Sequence, residues 1–155
     1  LIYIQARVFV LSYELYLLVL FIVCLYVSIV DLLHRKIHNH TLFILLFFQC
    51  FLSPLDLQFI TFLLMLGGGL ILYALIWVGA GDIKYAAVLS LVIPLKDLPW
   101  SLVMTAFAGG FLAIIYLVSR KLVTNTSNTQ EGIPYGIAIS IGFYLIILTQ
   151  NTPHI

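Results

Sequence analysis

Long apolar runs with almost no charge constrain this chain more than any other feature. The first run, from Val8 to Val30, contains one charged residue, Glu14, and exceeds the roughly 20 residues that an α-helix needs to cross a bilayer. In the whole sequence 63% of residues are hydrophobic and 8% are charged, whereas soluble domains carry about 25% charged residues. We therefore predict an integral membrane protein. The first run is interpreted as a retained span, because no A-x-A-like cleavage site ends it.

Proline, glycine and charged residues divide the chain into six such runs. We predict an all-α membrane protein whose 155 residues form a single integral domain. Its six transmembrane helices are placed at about 8–30, 40–53, 57–78, 82–94, 99–119 and 133–149. The two short runs are expected to be buried among neighbouring helices or to lie where the bilayer is thin. Gly67–Gly69 and Gly109-Gly110 favour close helix packing, although a triple glycine also permits a hinge or a gap that admits another helix.

The basic residues predict the orientation of these helices. With the loop after the first span in the cytoplasm, five basic residues lie on the cytoplasmic side and two outside: Arg35, Lys36, Lys84, Arg120 and Lys121 against Arg7 and Lys96. The positive-inside rule then places both termini outside. In this topology Asp31 and Asp82 lie at the same, cytoplasmic surface. The apolar runs imply the lipid bilayer as a partner. The net charge of +1, without a basic helix face, argues against nucleic acid.

Asp31 and Asp82 are candidates for a catalytic pair, because a carboxylate at membrane depth is energetically costly and usually functional. Taken singly, Asp31 is explained as a helix-end residue paired with Arg35, and Asp82 as an N-cap that follows Gly81. Taken together, they predict a dyad. Two carboxylates about 4 Å apart repel by about 4 kcal/mol at an effective dielectric constant near 20, so they share one proton near neutral pH. The ionised member can take a proton from an attacking water, while the protonated member donates to a peptide carbonyl.

Helix polarity suggests which member holds the proton. Asp82 begins a predicted helix, where the helix dipole favours an anion, and Asp31 ends one, where the dipole disfavours it. We therefore expect the shared proton on Asp31, with Asp82 as the base that activates water.

Three segments carry a recognisable set of motifs: Asp31-Leu-Leu-His-Arg-Lys-Ile-His-Asn39, Gly79-Ala-Gly81-Asp82-Ile-Lys84 and Ile133-Pro134-Tyr135-Gly136-Ile-Ala138. They resemble, in this order, the first aspartate motif, the GxGD-x-K element and the Pro-Tyr-Gly segment of type IV prepilin peptidases, the GxGD aspartic proteases of bacterial inner membranes. His38 stands where this family has proline, and Leu33 where a basic residue is usual. These departures concern the shape of the first loop rather than the aspartates.

The resemblance implies Asp31 and Asp82 as the catalytic pair of a six-helix peptidase that cleaves the leaders of prepilins or pseudopilins at the cytoplasmic face. The other motif positions, Gly79, Gly81, Lys84 and Asn39, are interpreted as supporting residues, and Lys84 is expected to reach lipid headgroups. The compact chain looks most like the peptidases of tight-adherence (Flp-type) pilus systems, which implies the pilus assembly machinery as a further partner.

The start of the last helix is a candidate docking point for an extended substrate, because unpaired backbone N–H groups are available there. This proposal concerns Pro134, Tyr135 and Gly136. The alternative is that Pro134 is simply tolerated in a first helical turn.

No metal or cofactor is expected. Cys24 and Cys50 form no CxxC pair, which indicates neither a disulfide nor structural zinc. Larger members of the family carry paired CxxC motifs in a zinc domain associated with N-methylation, so we expect a peptidase without methyltransferase activity. His34 and His38 have a spacing that can bind zinc, but a solvated loop is the better interpretation.

Two functions outside the peptidase class remain open. One is a small proton-coupled carrier that uses Asp31 and Asp82 as a relay, and the other is a non-catalytic scaffold subunit of a pilus or secretion complex. Replacement of either aspartate by asparagine distinguishes the carrier from the peptidase, since a carrier loses flux whereas a peptidase loses leader cleavage.

Overall fold

A computed structural model describes residues 2–75, 78–122 and 133–150. These ranges form six helices and no strand: α1 (Ile2–His34), α2 (Asn39–Leu52), α3 (Phe59–Ala74), α4 (Ala80–Ser90), α5 (Leu98–Leu122) and α6 (Tyr135–Thr149). The prediction of an all-α chain with six helices is confirmed over the described residues. Arg7 and Lys121, which enter the prediction of orientation, belong to α1 and α5, but the structure does not describe their side chains.

Among the helices of the described ranges, two are long and apolar enough to cross a bilayer. The windows Leu11–His34 in α1 and Leu98–Arg120 in α5 have mean hydropathies of 2.6 and 2.1. Most of each window is not buried, unlike the core helix of a soluble protein. The exposed faces carry large apolar side chains such as Leu15, Ile22 and Phe107, as a lipid-facing surface requires. These features indicate a membrane protein, while six crossings stay a prediction.

The short helix α4 forms the centre of the bundle. Seven of its 11 residues are buried: Ile83, Tyr85, Ala86, Ala87, Val88, Leu89 and Ser90. It packs against α2, α3 and α6, while α6 also packs against α1 and α5. At about 1.5 Å per residue α4 is roughly 16 Å long, about half of a 30 Å hydrocarbon core. Its burial agrees with the expectation for a short apolar run. By contrast, α2 buries only Leu42, Leu45 and Gln49.

Close helix packing depends on particular glycines. A Cβ added to Gly69 on α3 would collide with Ile83 on α4. A Cβ added to Gly142 on α6 would lie 2.5 Å from the backbone nitrogen of Thr105 on α5. Gly142 lies outside the two predicted packing runs. Within these runs, three glycines have no atom within 4 Å of an added Cβ: Gly67, Gly68 and Gly110. The packing role predicted for the glycine runs is therefore filled by only some of their members.

Candidate active site

Three helix ends converge at one end of the bundle. The last turn of α1 carries Asp31, the first turn of α4 carries Asp82, and the first turn of α6 carries Gly136. Both carboxylates line one cavity of about 430 Å³, together with the basic side chains of Arg35 and Lys36. The structure thus brings together two aspartates that are far apart in sequence. Their catalytic role stays a prediction.

Asp31 is held by a backbone donor from α6. Its side chain is 5% exposed, and the N–H of Gly136 donates a hydrogen bond of 2.8 Å to Oδ2. A Cβ on Gly136 would lie 2.7 Å from the same oxygen, so only glycine allows this close approach. The N–H group that was predicted to dock substrate at Gly136 is therefore already used by Asp31.

The end of α1 places Asp31 within the helix rather than after it. The apolar run stops at Val30, but α1 continues to His34. Arg35 then adopts a left-handed conformation with φ 52°, and its N–H donates to the carbonyl of Asp31 at 2.8 Å. Such a left-handed residue is a common way to end a helix. Asp31 consequently keeps a fixed backbone in the last turn of α1.

The GxGD segment places Asp82 in the first turn of α4. Gly79 is the N-cap, with φ −71° and ψ 142°, and Asp82 follows as the third helical residue. The interpretation of Asp82 as the N-cap is therefore wrong. A Cβ on Gly79 would lie 3.1 Å from Oδ2 of Asp82, so the first glycine of the motif leaves room for the carboxylate. The second glycine, Gly81, faces Ile37 after α1, with 3.5 Å from its added Cβ to the Ile37 Cβ.

The electrostatics of the cavity bear on the position of the shared proton. A donated N–H stabilises negative charge on a carboxylate, and Gly136 supplies such a donor to Asp31. The positive charge of Arg35 also acts on Asp31, while its guanidinium carbon lies 5.7 Å from the centre of the Tyr116 ring. The charges of Asp31 and Asp82 act on each other. The Gly136 N–H and Arg35 oppose the placement of the proton on Asp31 that helix polarity predicts, whereas the burial of Asp31 favours it.

The remaining predicted residues lie around this centre. Pro134 is the buried N-cap of α6, and Tyr135 is 47% exposed and lines the cavity. Lys84 and Asn39 line a different cavity of about 260 Å³ and do not line the cavity of the aspartates. Lys84 is exposed, and its contact with lipid headgroups stays a prediction.

The histidines near the first loop form no recognisable metal centre. The rings of His34 and His38 are 6.4 Å apart, and both side chains are exposed. Among the described residues, no group of three or more His, Cys, Asp or Glu side chains is placed to hold a metal ion.

Sequence reasoning missed a second cavity next to the first. It has a volume of about 600 Å³ and shares Gly79, Asp82 and Tyr135 with the cavity of the aspartates. Most of its lining is apolar and comes from four helices, as with Leu64, Leu72, Ile83, Leu102 and Phe143. Since α3 packs against α4 and α5 packs against α6, this space lies between the two helix pairs. The signal for this cavity in the sequence was the triple glycine, because two of its members, Gly68 and Gly69, line the cavity.

The fold and the site define a helical membrane protein with two carboxylates in one cavity at the end of its bundle. The model of the type IV leader peptidase family matches residues 18–118. The chain belongs to this family, which is a family of proteases, and the resemblance drawn from the motifs is confirmed. The matched range contains Asp31 and Asp82 and ends before Gly136. No curated protein and no solved structure gives a significant match.

Proposed function

We propose that this protein is a membrane-embedded aspartic endopeptidase that removes the leader peptide of type IV, Flp-like prepilins or pseudopilins. The cavity shared by Asp31 and Asp82 is the observation that supports this proposal most. Family membership supports the reaction class. The site is proposed to face the cytoplasm across the bacterial plasma membrane, in a six-span topology with both termini outside.

The contacts of the two aspartates suggest their roles. Asp31 accepts the N–H of Gly136 and is proposed as the ionised base. It takes a proton from water as the water oxygen attacks the carbonyl carbon of the scissile peptide bond. Asp82 donates its proton to the carbonyl oxygen, which gives a tetrahedral diol. The C–N bond then breaks as Asp31 passes its proton to the leaving nitrogen, and Asp82 regains a proton from the diol.

The two adjoining cavities support a substrate with one polar and one apolar half. The first cavity presents Arg35 and Lys36 beside the aspartates, whereas the second is mostly apolar. A peptide that changes from polar to apolar at its cleavage point would place that point near Asp82, where the cavities meet. A prepilin precursor fits this description as the proposed substrate, with the pilus assembly machinery as the proposed recipient of its product.

The proposal is tested with purified protein in liposomes and a synthetic prepilin precursor. Asp31→Asn and Asp82→Asn should each abolish cleavage, and the double variant should be no worse, because members of a catalytic unit are not additive. Asp56→Asn is the control, since Asp56 is exposed and lies between α2 and α3. Mass spectrometry of the products locates the cleaved bond and shows whether the new N-terminus is methylated, which we do not expect.

Cleavage by either single asparagine variant at a rate close to that of the unaltered protein would refute the dyad. Proton flux that is lost in these variants, without any leader cleavage by the unaltered protein, would favour a carrier instead. An unaltered protein that neither cleaves nor conducts would point to a scaffold subunit.

A further inference from the structure

A buried hydrogen-bonded cluster lies one helical turn inside the cavity and joins α1, α4 and α6. The hydroxyl groups of Tyr85 and Ser140 are 2.7 Å apart, and these side chains are 0% and 5% exposed. Ser140 donates to the carbonyl of Gly136 at 2.8 Å. From α1, the Ser28 hydroxyl has two acceptors within reach of its one proton, the Ser140 hydroxyl at 3.1 Å and the carbonyl of Cys24 at 2.8 Å.

Each helix contributes both a cluster residue and a site residue, one turn apart. On α4, Tyr85 follows Asp82 by three positions, and on α6, Ser140 follows Gly136 by four. On α1, Ser28 precedes Asp31 by three. Residues three or four apart lie on the same helix face. The cluster therefore sits directly beneath the two carboxylates and the N–H donor.

The cluster lies where α1 and α4, the two helices that carry the aspartates, both pack against α6. The aspartates lie on α1 and α4, which have few backbone contacts with each other, whereas both helices pack against α6. Their common packing against α6 therefore helps to set the spacing of the two carboxylates, beside the direct contact between the Tyr85 hydroxyl of α4 and the Cys24 thiol of α1. Ser140 is the α6 residue whose hydroxyl reaches both neighbours, through Ser28 on one side and Tyr85 on the other.

We infer that Tyr85 and Ser140 are positioning residues that hold Asp82 in register with Asp31 and Gly136. This inference rests on the proposed function. In a buried apolar setting a hydroxyl that loses its partner has no water to replace it, so the Tyr85–Ser140 contact resists sliding of α4 along α6. Removal of the Tyr85 hydroxyl keeps the ring and its packing but releases this restraint.

The test uses Tyr85→Phe and Ser140→Ala, with Tyr13→Phe as the matched control. The Tyr13 hydroxyl also joins α1 to α6, through the carbonyl of Ile147 at 2.7 Å, but at the opposite end of the bundle. Tyr85→Phe and Ser140→Ala should each lower kcat by about 10- to 100-fold, as a displacement near 1 Å does. KM should stay unchanged, and Tyr13→Phe should keep the kcat of the unaltered protein.

A second readout does not depend on cleavage. Amide hydrogen exchange at Gly136 reports the hydrogen bond to Asp31, and Tyr85→Phe should speed it by about fivefold, the effect of losing one ordinary hydrogen bond. Tyr13→Phe should leave it unchanged. If the unaltered protein cleaves no prepilin, the proposed function fails while this exchange measurement still decides the inference.

The inference is overturned if Tyr85→Phe and Ser140→Ala leave both kcat and Gly136 exchange unchanged. An equal loss of kcat in Tyr13→Phe overturns it as well, since the effect would then reflect bundle stability rather than position. If the unaltered protein is inactive, an unchanged rate of Gly136 amide exchange in Tyr85→Phe also overturns the inference.

Discussion

Replacement of Gly136 by alanine places a methyl group against the carboxylate of Asp31. The added Cβ would lie 2.7 Å from Oδ2, 3.0 Å from Cγ and 3.2 Å from Cβ of Asp31. Ordinary contacts at a Cβ begin at 3.4 Å, so the oxygen must retreat by about 0.7 Å. Rotation of the carboxylate alone does not relieve three close contacts, and Asp31 is 5% exposed, which leaves it little room.

The retreat lengthens the bond from the Gly136 N–H, now 2.8 Å, to about 3.5 Å, beyond hydrogen-bonding range. A hydrogen bond to a charged group contributes about 1.5–3 kcal/mol to stability, and alanine stabilises a helix by up to about 1 kcal/mol relative to glycine. We therefore expect the free energy of unfolding to fall by about 0.5–3 kcal/mol. The shift of Asp31 should lower kcat by about 10- to 100-fold.

Prepilin cleavage and thermal unfolding are measured on the same liposome preparations. Gly110→Ala on α5 is the control, because no atom lies within 4 Å of its added Cβ. A Gly136→Ala variant that cleaves as fast as Gly110→Ala would refute the reasoning. So would a loss of cleavage accompanied by complete unfolding, since the methyl group would then act on the bundle rather than on Asp31.

Two further predictions concern stability. Gly142→Ala should destabilise the bundle strongly, because its Cβ would lie 2.5 Å from the backbone nitrogen and 2.8 Å from the Cα of Thr105; a melting temperature equal to that of Gly110→Ala would contradict this. Thr61→Val should leave cleavage unchanged and keep or raise the melting temperature. The buried Thr61 hydroxyl has no hydrogen-bond partner in the described part of the chain, and an apolar group of equal shape removes its desolvation penalty. A marked fall in melting temperature would show that this hydroxyl does have a partner.

The number and order of the helices were predictable from the sequence, because apolar runs and turn residues alternate along the chain. The ends of the helices were less so. The apolar run before Asp31 stops at Val30, yet α1 extends to His34, since helix formation depends on the backbone and continues through polar residues until Arg35 turns left-handed. Hydropathy marks the edge of the apolar run and not the end of the helix.

The candidate site was predictable in its residue types but not in its contacts. The motifs pointed to Asp31, Asp82 and Gly136, and these three positions meet at one end of the bundle. The hydrogen bond from Gly136 to Asp31 joins residues 105 positions apart, so no local pattern reveals it. The link from Tyr85 to Ser140 is hidden for the same reason, because each residue alone is an ordinary member of an apolar helix.

The meeting of α1, α4 and α6 also orders events during synthesis of the protein. The ribosome makes Asp31 first and Asp82 later, but the N–H of Gly136 and the hydroxyl of Ser140 are supplied only with α6. A nascent chain that ends before α6 therefore holds both carboxylates without the helix against which α1 and α4 both pack. We expect proteolytic competence to appear only once α6 has entered the bundle, so that unfinished chains are inert towards their neighbours in the membrane.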